Sequence, residues 1–240
     1  MAKTQGNLAT ETRIYLDESS AIDFLDSEVL LANNRAYHDV VGAVMDVYEE
    51  FYSTTTPYTY AIVANQQEYT IASSLIKVTR VEINYSPDVS GSTASRAFPI
   101  KKDEIRTNLG NTAYNLRAPG YYLHGNIGAQ KIGFLPIPGT ADTVSQSISV
   151  WGIDLPSDFT TSSDNVNIPY ADRFAYLIAL KSAAQLLRKG QQEETAAANY
   201  MQEYRAGIID LQNFLKDRQS DDFQRIIDVM YDNTDFSEPL

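Results

Sequence analysis

Two histidines, adjacent carboxylate pairs and a tyrosine-bearing helical stretch are the residues of this chain with the means to do chemistry. His38 falls inside a helical pattern and His124 just before a turn. Catalysis at either would need a nucleophile or a metal partner, and the surrounding sequence identifies none. Asp103-Glu104, Glu193-Glu194 and Asp221-Asp222 are the pairs from which a two-carboxylate glycosidase or a magnesium site would be built. Neighbours on a helix point about 100° apart, so such pairs read as solvated faces. No HExxH, GxSxG, Walker A or GxGxxG spacing occurs, and Gly120 to Gly125 has neither the lysine nor the strand-to-helix setting of a phosphate loop. With no cysteine in the chain, thiolate metal sites and disulfide staples are excluded. The sequence therefore predicts a protein that is not an enzyme, with no catalytic residue, no cofactor and no metal. What remains is contact chemistry. Tyr200, Glu203 and Tyr204 form a candidate inter-subunit hydrogen-bonding patch, with helix packing as the alternative use of the tyrosines. Phe223, Ile226, Ile227 and Met230 make a short amphipathic piece suited to docking in a partner's groove.

Composition points the same way. The chain has 240 residues, of which 43% are hydrophobic, enough to bury a core. Sixteen tyrosines stand against nine phenylalanines and one tryptophan; such an excess suits half-buried interfaces and equally suits strands. A net charge of −12 with scattered basic residues excludes a protein that grips phosphate backbones over a broad surface, because that affinity comes from clustered Lys and Arg. An acidic protein can still surround DNA without holding it. No secretory leader is read at the N-terminus, and no apolar run approaches the ~20 residues that cross a bilayer. A soluble protein, made in a cytoplasm and with no membrane partner, is expected.

The elements that position these residues follow from periodicity. Residues 1–25 are polar and Thr/Ser-rich and read as an arm that orders only against a neighbour. Asp26 and Ser27 are plausible helix caps, and Val29, Leu30, Ala36, Tyr37, Val40, Val41, Val44, Tyr48 and Phe51 recur at helical steps, ending near Tyr52, where Thr54-Thr55-Thr56-Pro57 stops the helix. Strands are predicted over 58–63, 67–71, 76–85, 98–100, 119–126, 131–135 and 145–151, with a bulge where the alternation slips at Thr79-Arg80. The Pro/Gly/Ser stretch 86–95 reads as a loop, and 102–108 as one or two helical turns. Pro169 opens a helix with the stripe Arg173, Leu177, Leu180, Ala184 and Leu187, stopped by Gly190. A very short turn leads to a second stripe of Ala197, Tyr200, Tyr204, Ile208, Leu211 and Leu215, so the two helices should fold back as an antiparallel hairpin. The fold class is α+β: an arm (1–25), a helical body (26–56 and 169–218) with a long N-terminal helix and the C-terminal hairpin, a central antiparallel β-domain (57–168) and an acidic tail (219–240).

The order of these pieces carries a resemblance. A long helix leads into "YTYAIVANQQEYTI" and "IKVTRVEINYSP"; then come "KIGFLPIP", the Ile168-Pro169 entry followed by Asp172, and two helices with Glu203-Tyr204. Over roughly residues 26 to 218 the chain resembles the head-to-tail adaptor (connector) proteins of tailed bacteriophages. That resemblance implies a structural protein of the virion neck, twelve copies in a ring under the portal protein, a tail or stopper protein on the far side, and double-stranded DNA passing through the lumen without specific binding. It brings no catalytic residues. The β-region is longer than in the smallest adaptors, which leaves its contact open to tail, capsid or neighbour. Other readings are a tail-completion or minor capsid protein, a carbohydrate- or peptide-binding module built on the strand tyrosines, and a hydrolase using the carboxylates.

Overall fold

The segment that reads as an arm is folded. The computed structural model describes residues 3–18, 23–84, 94–101, 119–125, 130–135, 137–138, 147–190 and 194–219, and its first element is a helix, α1 (Gln5–Tyr15). Thr4 caps it: Asn7 N–H donates to Thr4 Oγ1 and Thr4 N–H donates back to Asn7 Oδ1. Leu8 and Thr12 are fully buried, and the Thr12 hydroxyl lies within hydrogen-bond distance of Leu8 O (2.8 Å) and Asn33 Oδ1 (3.0 Å). Backbone bonds complete the attachment, from Gln5 N–H to Asp164 O, Gly6 N–H to Ser162 O and Val166 N–H to Lys3 O. Because main-chain groups and buried hydroxyls hold the segment, it has no apolar stripe to announce it.

Two compact units emerge, one of residues 1–51 and 158–240, the other of residues 52–157. In the first, α2 (Asp26–Tyr48) runs into a 3-10 turn at Glu49–Tyr52. Asp26, expected as a cap, is the first helical residue, and the cap position is Leu25, whose N–H donates to Glu28 Oε2 at 3.0 Å. The link from α1 to α2 is organised by the buried Glu18, which accepts from Asp23 and Phe24 N–H and pairs with Arg13 at 2.8 Å. Val29, Ala32, Ala36, Tyr37, Val40, Val41 and Val44 form the buried face of α2.

The helix expected from Pro169 is broken. Tyr170 takes a left-handed conformation (φ 52°), followed by a short α3 (Ala171–Phe174) and then α4 (Tyr176–Gly190). Arg173, at a stripe position, is exposed, while Leu177, Leu180, Ala184 and Leu187 are buried. The last helix described, α5 (Glu194–Gln219), buries Ala197, Tyr204, Leu211 and Leu215. Its contacts with the preceding helices descend as theirs ascend: Phe174 meets Phe214, Leu177 lies by Gly207, and Lys181 lies over Tyr204. Ion pairs Lys181–Asp39 and Lys189–Glu28 tie α4 to α2.

The second unit holds two four-stranded sheets. One has the order β1 (Tyr58–Ala61), β8 (Ser147–Asp154), β3 (Leu75–Asn84), β4 (Ala94–Arg96); the other β2 (Glu68–Thr70), β7 (Lys131–Leu135), β6 (Gly120–His124), β5 (Phe98–Pro99). All pairings are antiparallel except β5–β6. The slip at Thr79-Arg80 is a register shift between Val78 and Arg80 against β8. Ala94–Arg96, expected within a loop, pairs with the end of β3. Tyr69, Tyr121, Ile132 and Phe134 of one sheet, with Ile71 just after β2, share a core with Val81, Ile83, Ile148 and Val150 of the other. The expected β-region ran to residue 168, but 158–168 lies in the helical unit, because its backbone binds α1. The architecture is mixed helix and sheet, and no described helix is long and apolar enough to cross a membrane. Residues 102–108 and most of 86–95 lie outside the described residues.

Candidate functional site

The histidines each meet a carboxylate. His38 Nε2 lies 2.5 Å from Asp158 Oδ1 on the surface of the helical unit. In the β unit, strands β2, β7 and β6 lie side by side, and their register sets Glu68, Gly133 and Tyr122 in one row with Lys131 and His124 in the next. Side chains two residues apart share a face, so the five gather on one side of the sheet. An alanine Cβ at Gly133 would lie 2.2 Å from Tyr122 Cζ, which shows that the tyrosine ring crosses directly over the glycine. That path lets Tyr122 OH donate to Glu68 Oε1 at 3.2 Å, while His124 stacks on the ring and reaches the same oxygen at 2.7 Å. Lys131 Nζ stands 3.8 Å from Glu68 Oε2.

Burial alone would raise the Glu68 carboxyl, but His124, Tyr122 and Lys131 outweigh it and hold the group below its usual range. The Tyr122 phenol is pushed up to about 12 by burial and by the Glu68 charge. An ionised carboxylate whose partners are a phenol that keeps its proton, an imidazole and an ammonium makes a cross-strand staple, and its geometry supplies no nucleophile. Among the described residues no group of three or more His, Asp or Glu is placed to hold a metal ion. Asp103, Glu104, Glu193, Asp221 and Asp222 lie outside the described residues. The strand tyrosines are turned inward or half-buried: Tyr58 OH donates to Asp154, Tyr60 OH accepts from Ala72 N–H, and Tyr69 and Tyr121 are in the core.

The contact residues singled out on α5 part company. Tyr204 is buried beneath Lys181, whose Nζ sits 4.8 Å from the ring centroid, and burial with the nearby Asp39 charge pushes the phenol up to about 12. Tyr200 is half-buried; its ring lies 5.4 Å from that of Tyr15, and its hydroxyl donates to Tyr15 O at 3.2 Å. Glu203 is exposed. Burial and then the charges of Glu11 and Glu203 raise the Tyr15 phenol, with Tyr176 and Tyr200 also beside it. Tyr15, Tyr176, Tyr200 and Glu203 thus converge. Tyr176 is 37% exposed, with its hydroxyl 3.0 Å from where a Cβ on Gly207 would stand. Phe223, Ile226, Ile227 and Met230 lie outside the described residues.

A second aromatic group was not foreseen. The Arg173 guanidinium lies 4.9 Å from the Phe174 ring and 4.7 Å from the Phe214 ring, and Tyr170 meets Phe214 edge-on at 4.9 Å. Tyr170 is 45% exposed and left-handed, a conformation costly for an aromatic residue and held only where surrounding packing enforces it. Arg173 falls at a stripe position, so its spacing places it inward; the structure leaves it exposed. An arginine at an otherwise apolar stripe position was the signal available.

No curated protein matches the chain. The family model for the SU10 adaptor protein matches residues 3–229, a span that takes in both units and the N-terminal helix. The chain belongs to the SU10 adaptor protein family.

Proposed function

We propose that this chain is a structural subunit of the phage virion neck, a head-to-tail adaptor that closes into a ring between the portal protein and a tail or stopper protein. The observation that carries this reading is the family match over residues 3–229, which runs through α1, α2, both sheets and the helices α4 and α5. Twelve copies, as the resemblance implies, would surround a lumen through which double-stranded DNA passes. The net charge of −12 favours a conduit over a clamp, since an acidic wall does not retain phosphate. In this picture α4 and α5 form the stiff C-terminal hairpin of each subunit. Glu203 contributes to a subunit contact, and the Phe223–Met230 segment docks on the portal or on the next copy as an amphipathic helix. Among the described residues the strand tyrosines are buried or internally bonded, which weighs against their use as a carbohydrate-binding surface. Mixing the purified chain with portal assemblies tests the proposal. A ring of copies on the portal, seen by electron microscopy or native mass spectrometry, is expected; a chain that stays monomeric beside intact portals would refute it.

A further inference from the structure

A cleft of about 340 Å³ opens in the helical unit between α1, the first residues of α2 and the 160–162 loop. Its walls are preformed. Asn34 fixes the start of the loop, accepting from Phe159 N–H at 2.8 Å and donating to Phe159 O at 3.1 Å. Asp164 gathers the Thr160 and Thr161 N–H groups, at 2.6 and 2.8 Å. Gly6 N–H donates to Ser162 O, and a Cβ at Gly6 would stand only 3.0 Å from that oxygen, so the bare glycine lets helix and loop approach this closely. Ala9, Val29 and Leu30 line the interior, and Ser27 and Ser162 are exposed residues of its rim. Gln5 is the buried polar member of the lining. It is 6% exposed, and its carboxamide has no hydrogen-bond partner among the described residues. A buried polar group is rarely left so, because the water it gave up is not replaced.

The lining selects the chemistry of what enters. Among the described residues no lysine or arginine lines the cleft, and the carboxylate at its rim, Asp26, pairs with Arg13 at 2.6 Å. A phosphate or a free carboxylate would find nothing to neutralise it. No described aromatic ring lines it either, so a nucleobase has no platform to stack on. The Gln5 carboxamide both donates and accepts, and another carboxamide answers both ends at once, whereas a carboxylate or a hydrocarbon leaves at least one end unpaired. We infer that this cleft binds a neutral carboxamide side chain, glutamine or asparagine, inserted by an extended peptide segment of a partner protein. Gln5 pairs with the inserted amide, Val29 and Leu30 pack on its methylenes, and the rim hydroxyls of Ser27 and Ser162 serve the adjoining main chain. The volume stands at the low end of the roughly 300–1,000 Å³ of ligand pockets, room for one side chain rather than for a helix about 10–12 Å across. The contact is separate from those assigned above to Glu203 and to Phe223–Met230, and it does not depend on the ring.

Nuclear magnetic resonance of the isotope-labelled full-length chain tests the site. The probes are capped tripeptides with glutamine, glutamate or leucine between two alanines. One side chain anchors each peptide, so a dissociation constant on the order of 1 mM is expected for the glutamine probe. Saturable shifts of the Gln5 side-chain amide and of the Gly6, Ser27 and Ser162 backbone amides are expected with that probe. The glutamate and leucine probes should bind about tenfold or more weakly. Gln5→Ala should weaken the glutamine probe about tenfold. Ser27→Trp, at an exposed rim position, should abolish binding while leaving the thermal unfolding seen by circular dichroism unchanged, and it carries the test if the change at Gln5 disturbs α1. A cleft that takes up water alone and shows no shifts overturns the inference. So do equal shifts from all three probes, or undiminished binding in Ser27→Trp. No portal is present in the measurement, so its failure and the failure of the ring are separate results.

Discussion

Replacing Gly133 with alanine puts a methyl group where the Tyr122 ring now lies, 2.2 Å from Cζ and 2.5 Å from the hydroxyl oxygen. No alanine tolerates that, and the tyrosine must swing off the sheet. It then loses its hydrogen bond to Glu68 and its stacking on His124. A hydrogen bond to a charged group contributes about 1.5–3 kcal/mol, and a stacked pair about 0.5–1.5 kcal/mol. Partial relaxation of an exchanged side chain offsets some of this, so a destabilisation of about 2–3 kcal/mol is expected. Trp151, the single tryptophan, lies in β8 of the same unit with Arg80 over its ring, and its fluorescence reports unfolding there. With a urea slope of about 1–3 kcal/mol/M, the midpoint should fall by about 1–2 M. The cost is specific to the ring, so in a Tyr122→Ala background the alanine at 133 should be close to neutral. An unchanged midpoint for Gly133→Ala, or an equal cost with and without the Tyr122 ring, would refute the staple.

Other perturbations follow from the same contacts. The Glu68 carboxyl is held below its usual range, so its contribution to the β unit is complete above the unfolded carboxylate value of about 4.3. It is lost as pH falls through the folded value, and Glu68→Gln should flatten the acid limb of a pH–stability curve read by Trp151. Leu8→Ala should cost about 2–4 kcal/mol in thermal unfolding of the helical unit, because Leu8 is fully buried; a loose arm would show no change. Tyr204→Ala should cost about 3 kcal/mol or more, the side chain being 8% exposed. Glu203→Arg should leave stability within about 0.5 kcal/mol, because Glu203 is exposed.

How much was legible in the sequence differs by element. α2 and the buried positions of α5 follow their apolar spacing, because hydrophobic burial selects those faces; the slip in β3 was likewise visible as broken alternation. α1 was not legible. It is held by a Thr4–Asn7 box with asparagine in place of the usual Glu or Gln, by buried Thr12 and Gln5, and by backbone bonds to 162–166, none of which leaves a hydrophobic period. The break at Tyr170 was hidden because a left-handed aromatic residue depends on tertiary packing rather than local preference. On α5 the same spacing that placed Tyr204 in the apolar stripe argued for burial, and the structure buries it, leaving Glu203 as the exposed member of the trio. Arg173 holds a stripe position by spacing, yet the structure leaves it exposed against the Phe174 and Phe214 rings.

Electron microscopy of portal assemblies incubated with the purified chain addresses the adaptor role most directly. A closed ring of subunits seated on the portal, with an open central channel, is the result predicted. Portals that remain bare while the chain stays folded and in excess would contradict it.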